Sequence, residues 1–461
     1  MDRNELHSDN EPIVALSSGQ GHGAIAILRA SGRACHELLV PCLRMKKAST
    51  PWEARVLTHC DLLDPTDGTV LDDCMAVIFK RPHSYTGQDS VEIYVHGSPY
   101  IVKTALALFY RLGFRPAEAG EFTRRAFLSG KIDLSEAEGI NALIGASSHQ
   151  QWLAARHLYS GRLKQLVDEL DRQLKEAMAW LEASIDFPDE GDTTKAHRAS
   201  VLERVDKIFA SLQKLEKSYE DGRVASQGLR VALFGEPNVG KSTLMNTLLG
   251  TERAIVTEEP GTTRDYLEEA CLVNGRLIRL IDTAGVRDST QKVEKLGIER
   301  TYALAREADL VLFLAEAKAG DESWAKWKQW VEDVKPSAYL QVLTKCDLVN
   351  NLKSLKTGYA EISCRTGLGI EALKDRIVAK VNEHVRKLED EPFLSSARHK
   401  RAVEEALEAL RRFYTEAHVG GFDEVLAFEL QQAARALVSI IGRIDTEEIL
   451  DVVFASFCVG K

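Results

Sequence analysis

Residues 229–249 read LRVALFGEPNVGKSTLMNTLL. The apolar run at 229–234 is typical of a buried strand, GEPNVGKS at 235–242 matches G-x-x-x-x-G-K-S, and the following residues favour a helix. In such a loop the glycines let backbone N–H groups turn inwards at a helix N-terminus, where they can surround phosphate oxygens. Lys241 can then reach the β- and γ-phosphates, and the Ser242 hydroxyl can ligate Mg²⁺. Because strand and helix flank the loop, a chance match is the weaker interpretation.

Two further segments follow in the order typical of Ras-like GTPases. The segment GTTRD at 261–265 resembles switch I, and this resemblance assigns a second Mg²⁺-ligating role to Thr263. The segment RLIDTAG at 279–285 is a strand that ends in D-x-x-G. There Asp282 supports Mg²⁺ and the Gly285 amide senses the γ-phosphate, so the loop responds to hydrolysis.

A base-reading motif comes next. The strand-like run at 338–343 leads into TKCD at 344–347, which matches N-K-x-D at Lys345 and Asp347. A carboxylate accepts two hydrogen bonds from guanine, whereas adenine lacks that pair of donors. Thr344 replaces the usual asparagine, which leaves one polar contact open. The residues predicted to contact GTP are Asn238, Val239, Gly240, Lys241, Ser242, Thr243, Thr257, Thr262, Thr263, Asp282, Thr283, Ala284, Gly285, Thr344, Lys345, Asp347, Ser363, Cys364 and Arg365.

Composition limits the function classes. The chain has 461 residues and a formal net charge of −10, with 44% hydrophobic and 28% charged residues, which is ordinary for a globular protein of about three domains. A protein that only coats nucleic acid is normally basic, so an RNA partner would need a local basic patch. The eight cysteines are scattered without C-x-x-C pairs, which favours reduced thiols. With no secretory signal and no long apolar run, we expect a cytoplasmic protein without a membrane span.

Pattern changes along the chain predict its organisation. Residues 1–120 mix short strands with glycine-rich turns, residues 121–222 and 383–461 have helical spacing, and residues 223–382 alternate strands with helices. The predicted fold class is therefore multidomain α/β. An α+β N-terminal domain is followed by an α-helical domain, into which a Ras-like P-loop GTPase domain with a doubly wound sheet is inserted. Leu163, Leu166, Leu170 and Leu174 form a helical stripe that we interpret as core.

Four long motifs carry a more specific resemblance. They are AIAILRASG at 24–32, GEFTRRAFLSGKIDL at 120–134, IDFPDE at 185–190 and FASFCVGK at 454–461. Over nearly its whole length the chain resembles the MnmE (TrmE) family of GTPases that modify tRNA at uridine C5. The resemblance implies that the N-terminal domain binds a tetrahydrofolate derivative and forms the homodimer.

The same resemblance assigns roles outside the GTPase module. Arg29, Glu92, Lys131 and Lys461 take the positions of the folate-contacting residues, and their charges suit a glutamyl tail and pterin N–H donors. Considered without the family, each is more simply a surface charge. Cys458, in the terminal C-x-G-K, takes a catalytic position. Its alternative is a buried cysteine that acts as a small hydrophobe.

The resemblance also suggests how GTP is hydrolysed. Val286 stands where many GTPases carry the glutamine that positions water, so another group must act. Glu294 matches the family's catalytic residue, although a solvated glutamate near a helix N-terminus is the alternative. K⁺ is expected to supply the missing positive charge when two GTPase modules meet. The positions that match its ligands are Asn238, Thr257, Glu259 and Thr262.

The implied reaction involves further partners. With an FAD-dependent MnmG-type protein in a hetero-oligomer, the chain would add a carboxymethylaminomethyl or aminomethyl group at C5 of the wobble uridine of tRNA. Hydrolysis would drive conformational cycling. One alternative is a GTPase switch in ribosome assembly or another RNA-associated process. A second is a folate-dependent aminomethyl transferase whose GTPase module is regulatory or decayed.

Overall fold

A computed structural model describes residues 10–46, 51–186, 191–250, 268–282, 299, 301–319, 321–349, 358–385, 388, 391–443 and 447–461. The chain forms two compact units, one of residues 1–137 with 442–461 and one of residues 138–441. Within the described ranges, no helix combines the length and the apolar character that crossing a membrane requires.

The elements follow one another along the chain. The strands are β1 (Ile13–Leu16), β2 (Ile25–Ser31), β3 (Leu43–Met45), β4 (Thr58–Leu63), β5 (Val70–Phe79), β6 (Ser90–His96), β7 (Arg115–Pro116), β8 (Leu229–Gly235), β9 (Glu268–Val273), β10 (Arg276–Asp282), β11 (Leu310–Glu316), β12 (Tyr339–Thr344) and β13 (Tyr359–Glu361). The helices are α1 (Cys35–Leu39), α2 (Pro99–Arg111), α3 (Glu121–Leu128), α4 (Leu134–Gly145), α5 (His149–Tyr159), α6 (Arg162–Asp186), α7 (Gly191–Lys217), α8 (Tyr219–Gln227), α9 (Lys241–Leu249), α10 (Asp321–Val334), α11 (Ile370–Val385), α12 (Ala397–His418), α13 (Asp423–Ser439) and α14 (Glu447–Ala455).

The first unit is built on a seven-stranded sheet of order β3-β4-β5-β6-β2-β1-β7. Neighbouring strands are antiparallel except β1 and β7. Side chains of a strand alternate between the two faces, and in β2 this buries Ala26, Leu28 and Ala30 in a core. Arg29 therefore lies on the opposite face, where the register pairs it with Glu92 of β6.

The C-terminal segment belongs to this first unit. Phe454 and Phe457 are buried with Leu134 in a cluster of their own, and the Phe127 and Phe454 rings lie 6.2 Å apart. The tail groups with residues 1–137 because its aromatic residues find their apolar partners beside α3 and α4. The four-part domain division stays a prediction.

The second unit contains a six-stranded sheet of order β13-β12-β11-β8-β10-β9, parallel except for β9. The central strand β8 has both faces buried. Val231 and Leu233 join a core with α9 and α11, whereas Ala232 and Phe234 join a core with Trp327 of α10. Burial on both faces explains the continuous apolar run at 229–234, and it confirms the predicted doubly wound sheet.

Helices that precede the second sheet in the sequence share one core with helices that follow it. Leu163, Leu170 and Leu174 of α6 are buried with residues of α7, α12 and α13, and Leu166 packs against them. The stripe read from the sequence is therefore core, as predicted.

Glu138, at the start of the second unit, holds a buried polar network. It accepts hydrogen bonds from Arg398 at 2.9 Å and pairs with His399 at 2.7 Å, while Arg398 also donates to the carbonyls of Ser439 and Ile440. Burial opposes ionisation of the carboxyl, but His399 and Arg398 outweigh it and hold the pKa of Glu138 at about 2. The network ties α4 and the end of α13 to α12.

Candidate functional site: a P-loop and a polar cluster at the chain's C-terminus

The P-loop lies at the carboxyl end of β8, in the middle of its sheet. Parallel strands carry their binding loops at this edge. Asn238 and Gly240 have φ angles of +64° and +103°, and Gly240 precedes the first turn of α9. Successive residues in such a conformation turn their N–H groups to one side, which forms an anion-binding concavity at a helix N-terminus.

Lys241 follows the loop directly. Its side chain is buried, and the ammonium group donates to the carbonyls of Gly235 at 2.9 Å and Glu236 at 2.8 Å. These two hydrogen bonds hold the positively charged ammonium group beside the loop. This is the position from which a lysine can reach the terminal phosphates of a nucleotide.

Thr344 connects the P-loop to the neighbouring strands. It is buried at the end of β12, and its hydroxyl lies 2.7 Å from the Val239 carbonyl, to which it donates, and 3.3 Å from the Ala315 carbonyl. In the sequence, Thr344 stands where the N-K-x-D motif has asparagine, and its role was left open. The structure gives it a role in bracing the loop.

Lys345 adds a second brace. Its ammonium donates to the Asn238 carbonyl at 2.7 Å and pairs with Glu316 at the end of β11. Three strands, β8, β11 and β12, are thereby linked through polar contacts at one edge of the sheet. The predicted phosphate-binding and base-reading residues therefore lie side by side.

Asp347 is exposed and follows Lys345 by two residues. A hydrogen bond fixes the orientation of one of its carboxylate oxygens. The buried Ser363 donates to Asp347 Oδ1 at 2.7 Å, and its oxygen also accepts from the Thr366 amide at 3.2 Å. Cys364 is half-buried, burial raises the pKa of its thiol, and Arg365 is exposed. Asp347 therefore contacts Ser363, the first of the three residues at 363–365 that were predicted to contact GTP.

The residues predicted to hold Mg²⁺ offer oxygen atoms of the kind that this ion binds. Ser242 and Thr243 are exposed in the first turn of α9, and Asp282 ends β10, which pairs with β8 at Leu233. A hydroxyl and a carboxylate supply the hard oxygen ligands that Mg²⁺ prefers. Both come from elements that flank the P-loop.

A second polar cluster lies in the first unit. Arg29 donates to Glu92 at 2.9 Å, and the Tyr94 hydroxyl donates to the other Glu92 oxygen at 2.8 Å. The Arg29 guanidinium lies 5.6 Å from the centre of the Tyr85 ring and 5.8 Å from that of Phe122, within cation–π range. Burial and Glu92 raise the pKa of Tyr94. Two of the four predicted folate residues are thus in direct contact.

The C-terminal tail reaches the same neighbourhood. The Phe122 amide donates to the Lys461 carbonyl at 3.0 Å, and Ser17 Oγ donates to the Gly460 carbonyl at 2.8 Å. Cys458 is exposed immediately before this anchor. Phe122 therefore contacts both Arg29 and the backbone of Lys461, which brings the tail to the Arg29–Glu92 pair.

Lys131 lies beside a tight turn. It is exposed, and a side chain added at Gly87 would come within 3.8 Å of Lys131 Cε. Tyr85, two residues from that glycine, faces Arg29. Lys131 therefore lies near the turn that contains Tyr85, one of the aromatic residues that contact Arg29.

Two family models together match nearly the whole chain. A family model described as the GTP-binding protein TrmE N-terminus matches residues 12–131, and one described as the MnmE helical domain matches residues 134–458. The tRNA modification GTPase MnmE of Aquifex aeolicus is 37% identical over 455 residues, covering 98% of this chain and 100% of that protein. The chain belongs to the MnmE family of tRNA modification GTPases.

A second curated relative agrees with this membership. The MnmE of Natranaerobius thermophilus is 36% identical over 460 residues, covering 98% of this chain and 99% of its own. Among solved structures, the G domain of the T. maritima FeoB iron transporter is 32% identical, with 33% of this chain and 98% of that chain covered and a TM-score of 0.25. Membership in the MnmE family confirms the predicted family, fold class and enzyme class, and it favours tRNA modification over ribosome assembly.

Several MnmE-type assignments lie outside the described residues. They are Thr257, Glu259, Thr262, Thr263, Thr283, Ala284, Gly285 and Glu294. The switch residues, the catalytic glutamate and most of the K⁺ positions therefore stay predictions.

Sequence reasoning missed residues that complete the two clusters. Glu316 holds Lys345, while Tyr85, Tyr94 and Phe122 surround the Arg29–Glu92 pair. Tyr94 could have been found, because two residues after Glu92 in a strand lies on the same face. Glu316 and Phe122 come from distant segments, and no local pattern points to them.

A Thr344→Val variant should weaken nucleotide binding. Valine keeps the shape of the side chain but removes the donor to the Val239 carbonyl, at a cost of about 1 kcal/mol. We expect the Kd for GDP to rise about fivefold, measured with a fluorescent GDP analogue. Thr344→Ser, which keeps the hydroxyl, serves as the control and should bind like the wild type. Equal affinity of the valine variant would show that this hydrogen bond does not brace the loop.

Proposed function

We propose that this chain binds and hydrolyses GTP at the P-loop edge of its second sheet, and that hydrolysis drives conformational cycling during tRNA modification. The observation that carries the proposal is that Lys241, Thr344 and Lys345 all donate to carbonyls of the loop at that edge. Asp347, two residues after Lys345, is oriented there by Ser363. Family membership supports it independently.

Guanine selection follows from Asp347. Ser363 occupies one side of the carboxylate, and the exposed remainder accepts the two N–H donors of guanine. Adenine presents an acceptor where guanine presents a donor, so its binding would leave the carboxylate facing a lone pair. Lys241 and the P-loop amides hold the phosphates, while Ser242, Thr263 and Asp282 hold or support Mg²⁺.

Hydrolysis would use groups supplied by the switch segments. Glu294 positions the attacking water in place of a glutamine. The exposed Asn238, with Thr257, Glu259 and Thr262, would hold K⁺, which would supply positive charge when two GTPase modules of a homodimer meet. Charge placed at the β–γ bridge stabilises the transition state of phosphoryl transfer.

The carbon chemistry would take place at the first unit. A tetrahydrofolate derivative would be held by Arg29, Glu92, Lys131 and Lys461, near the Cys458 thiol. Arg29 and Glu92 are oriented by Tyr94 and by two aromatic rings, as a site that recognises one flat, polar ring requires. With an FAD-dependent MnmG-type partner in the cytoplasm, the chain would add a carboxymethylaminomethyl or aminomethyl group at C5 of the wobble uridine of tRNA.

GTP turnover by the purified full chain tests the first part of the proposal. Turnover should be several-fold faster in K⁺ than in Na⁺ at equal ionic strength, and excess ATP should not compete. Equal rates in the two salts would remove the K⁺ step. Competition by ATP, or no turnover in either salt, would contradict the GTPase assignment.

Folate binding tests the second part and separates it from the ribosome-assembly alternative. Calorimetry with 5-formyltetrahydrofolate should show binding to the full chain that weakens at least about tenfold in Arg29→Ala, since a charge-assisted contact is lost. Arg33→Ala, a nearby exposed arginine, is the control. Absence of binding by the wild type would contradict the folate assignment while leaving the GTPase intact.

A further inference from the structure

The outward face of α5 carries a stripe of aromatic and basic side chains. His149, Trp152, Arg156 and Tyr159 follow at intervals of three or four residues, so they share one helix face. All four are exposed, with 42% of Trp152 and 51% of Tyr159 open to solvent. Large exposed aromatic residues in a regular row indicate a contact surface more than a core.

The stripe is partly organised before anything binds. The His149 and Trp152 rings meet edge to face at 5.6 Å, and the Arg156 guanidinium lies 5.3 Å from the Trp152 ring centre. These contacts restrict the rotamers of three neighbouring side chains. A flat ligand that stacks on this row therefore loses less conformational entropy on binding.

The opposite face of α5 anchors the helix. The Ser148 side chain caps its N-terminus by accepting from the Gln151 amide. The buried Gln150 and the half-buried Gln151 donate to the carbonyls of Leu277 and Ser226 at 3.4 Å and 3.1 Å. His157 stacks on Phe393 at 4.2 Å. The outward row is thus presented on a rigid support beside β10, the strand that ends in Asp282.

Charge distinguishes this surface from the rest of the chain. No Asp or Glu occurs between Glu138 and Asp168, although the whole chain has 69 acidic residues and a net charge of −10. The same run contains Arg156, Arg162 and Lys164. Among the described residues, no carboxylate pairs with Arg156 or Arg162. The segment that carries α5 is therefore basic within an acidic protein, which is the local basic character that an RNA partner needs.

We infer that the α5 face binds RNA, with an unpaired base stacked on Trp152 and phosphates held by Arg156 and Arg162. Aromatic rings with nearby arginines are how proteins hold single-stranded segments and loops, because every base offers a π face. The inference deepens the proposed function, on which it rests, by assigning the surface where the substrate tRNA meets the chain. A docked protein is the competing occupant, and the experiment decides between them.

The test compares Trp152→Ala with Trp180→Ala in the full-length chain. Trp180 on α6 is the matched control because it is equally exposed, at 42%, but lies between Glu176 and Glu182. The probes are an in vitro transcribed tRNA with uridine at the first anticodon position and a twelve-nucleotide uridine oligomer. Anisotropy titrations should show both RNAs bound at least about tenfold more weakly by Trp152→Ala and unchanged by Trp180→Ala.

Salt dependence provides an independent readout. Arg156→Ala should reduce the slope of log K against log salt by about one, while Trp152→Ala should leave it unchanged, because only the arginine neutralises a phosphate. Arg435→Ala, an exposed arginine on α13, is the control for the slope. GTP turnover should remain at the wild-type rate in all four variants, which shows that they are folded.

The outcomes separate the inference from the proposed function. Wild-type RNA affinity in Trp152→Ala would overturn the inference and leave the proposed function standing. Normal RNA binding by Trp152→Ala together with lost capture of a purified partner protein would assign the face to a protein, which also overturns it. If the wild type bound neither RNA while turning over GTP, the inference and the tRNA part of the proposed function would both fall.

Discussion

An Asp347→Asn variant should bind GTP at least about a hundredfold more weakly than the wild type and should gain affinity for xanthosine triphosphate. The carboxylate accepts from two N–H groups of guanine, whereas the asparagine amide places a donor against one of them. Xanthine has a carbonyl at the position of the guanine amino group, so the amide can pair with it. Ser363 can still donate to the amide oxygen, which preserves the geometry of the site.

Competition titrations with GTP, xanthosine triphosphate and ATP measure this exchange. Asp375→Asn is the matched control. Asp375 is a carboxylate on α11 of the second unit, and it accepts a hydrogen bond from Asn274, not from a P-loop residue, at 3.0 Å. It should keep the wild-type order of affinities. If Asp347→Asn still preferred GTP, base recognition would have to reside elsewhere, and the proposed role of the TKCD segment would be wrong.

A Gly460→Ala variant should detach the C-terminal tail and abolish tRNA modification while GTP turnover continues. Gly460 has a φ of +94°, and a Cβ there would lie 2.3 Å from the Leu16 carbonyl oxygen. Alanine pays about 1–2 kcal/mol for the left-handed backbone and must also relieve the clash. We expect the contacts of the tail with Ser17 and Phe122 to break, which displaces Cys458 and Lys461.

Gly420→Ala is the control, because it introduces the backbone strain of a positive φ angle without a steric clash. Gly420 has a φ of +76°, but nothing lies within 4 Å of the position of its Cβ. It therefore bears the backbone cost alone, and its modification activity should stay close to the wild type. The measurements are incorporation of the modified uridine by mass spectrometry of tRNA, with the partner protein present, and GTP turnover. A fully active Gly460→Ala variant would show that the docked tail is not needed for the reaction.

Local patterns predicted the elements well because their causes are local. The strand–loop–helix at 229–249 forms as predicted, since both faces of β8 are buried and the glycine of the loop adopts a positive φ angle. Short apolar runs and turn residues predict four strands of the first unit, at 13–16, 24–28, 76–79 and 91–95. The structure contains all four, and three are longer than predicted: β2 (Ile25–Ser31), β5 (Val70–Phe79) and β6 (Ser90–His96). Their extensions pair with neighbouring strands, which a single segment cannot reveal.

Cysteine spacing shows where this kind of reasoning stops. All eight cysteines are free, yet Cys60 and Cys74 face each other across β4 and β5 with their sulfurs 3.6 Å apart. Nothing in their separation of fourteen residues indicates this pairing. It depends on the register of two strands, which the intervening turn and the buried face decide together.

By itself, the sequence determined the P-loop motif, the family and the fold class, and it predicted an aspartate that reads the base, because each depends on residues that are close along the chain. The tertiary structure decided that Thr344 braces the loop, that Arg29 pairs with Glu92, and that one face of α5 stays open. It also placed Gly460 against Ser17, 443 positions away. Such contacts form only when separate segments bury their apolar faces together, and only that burial settles which polar groups meet.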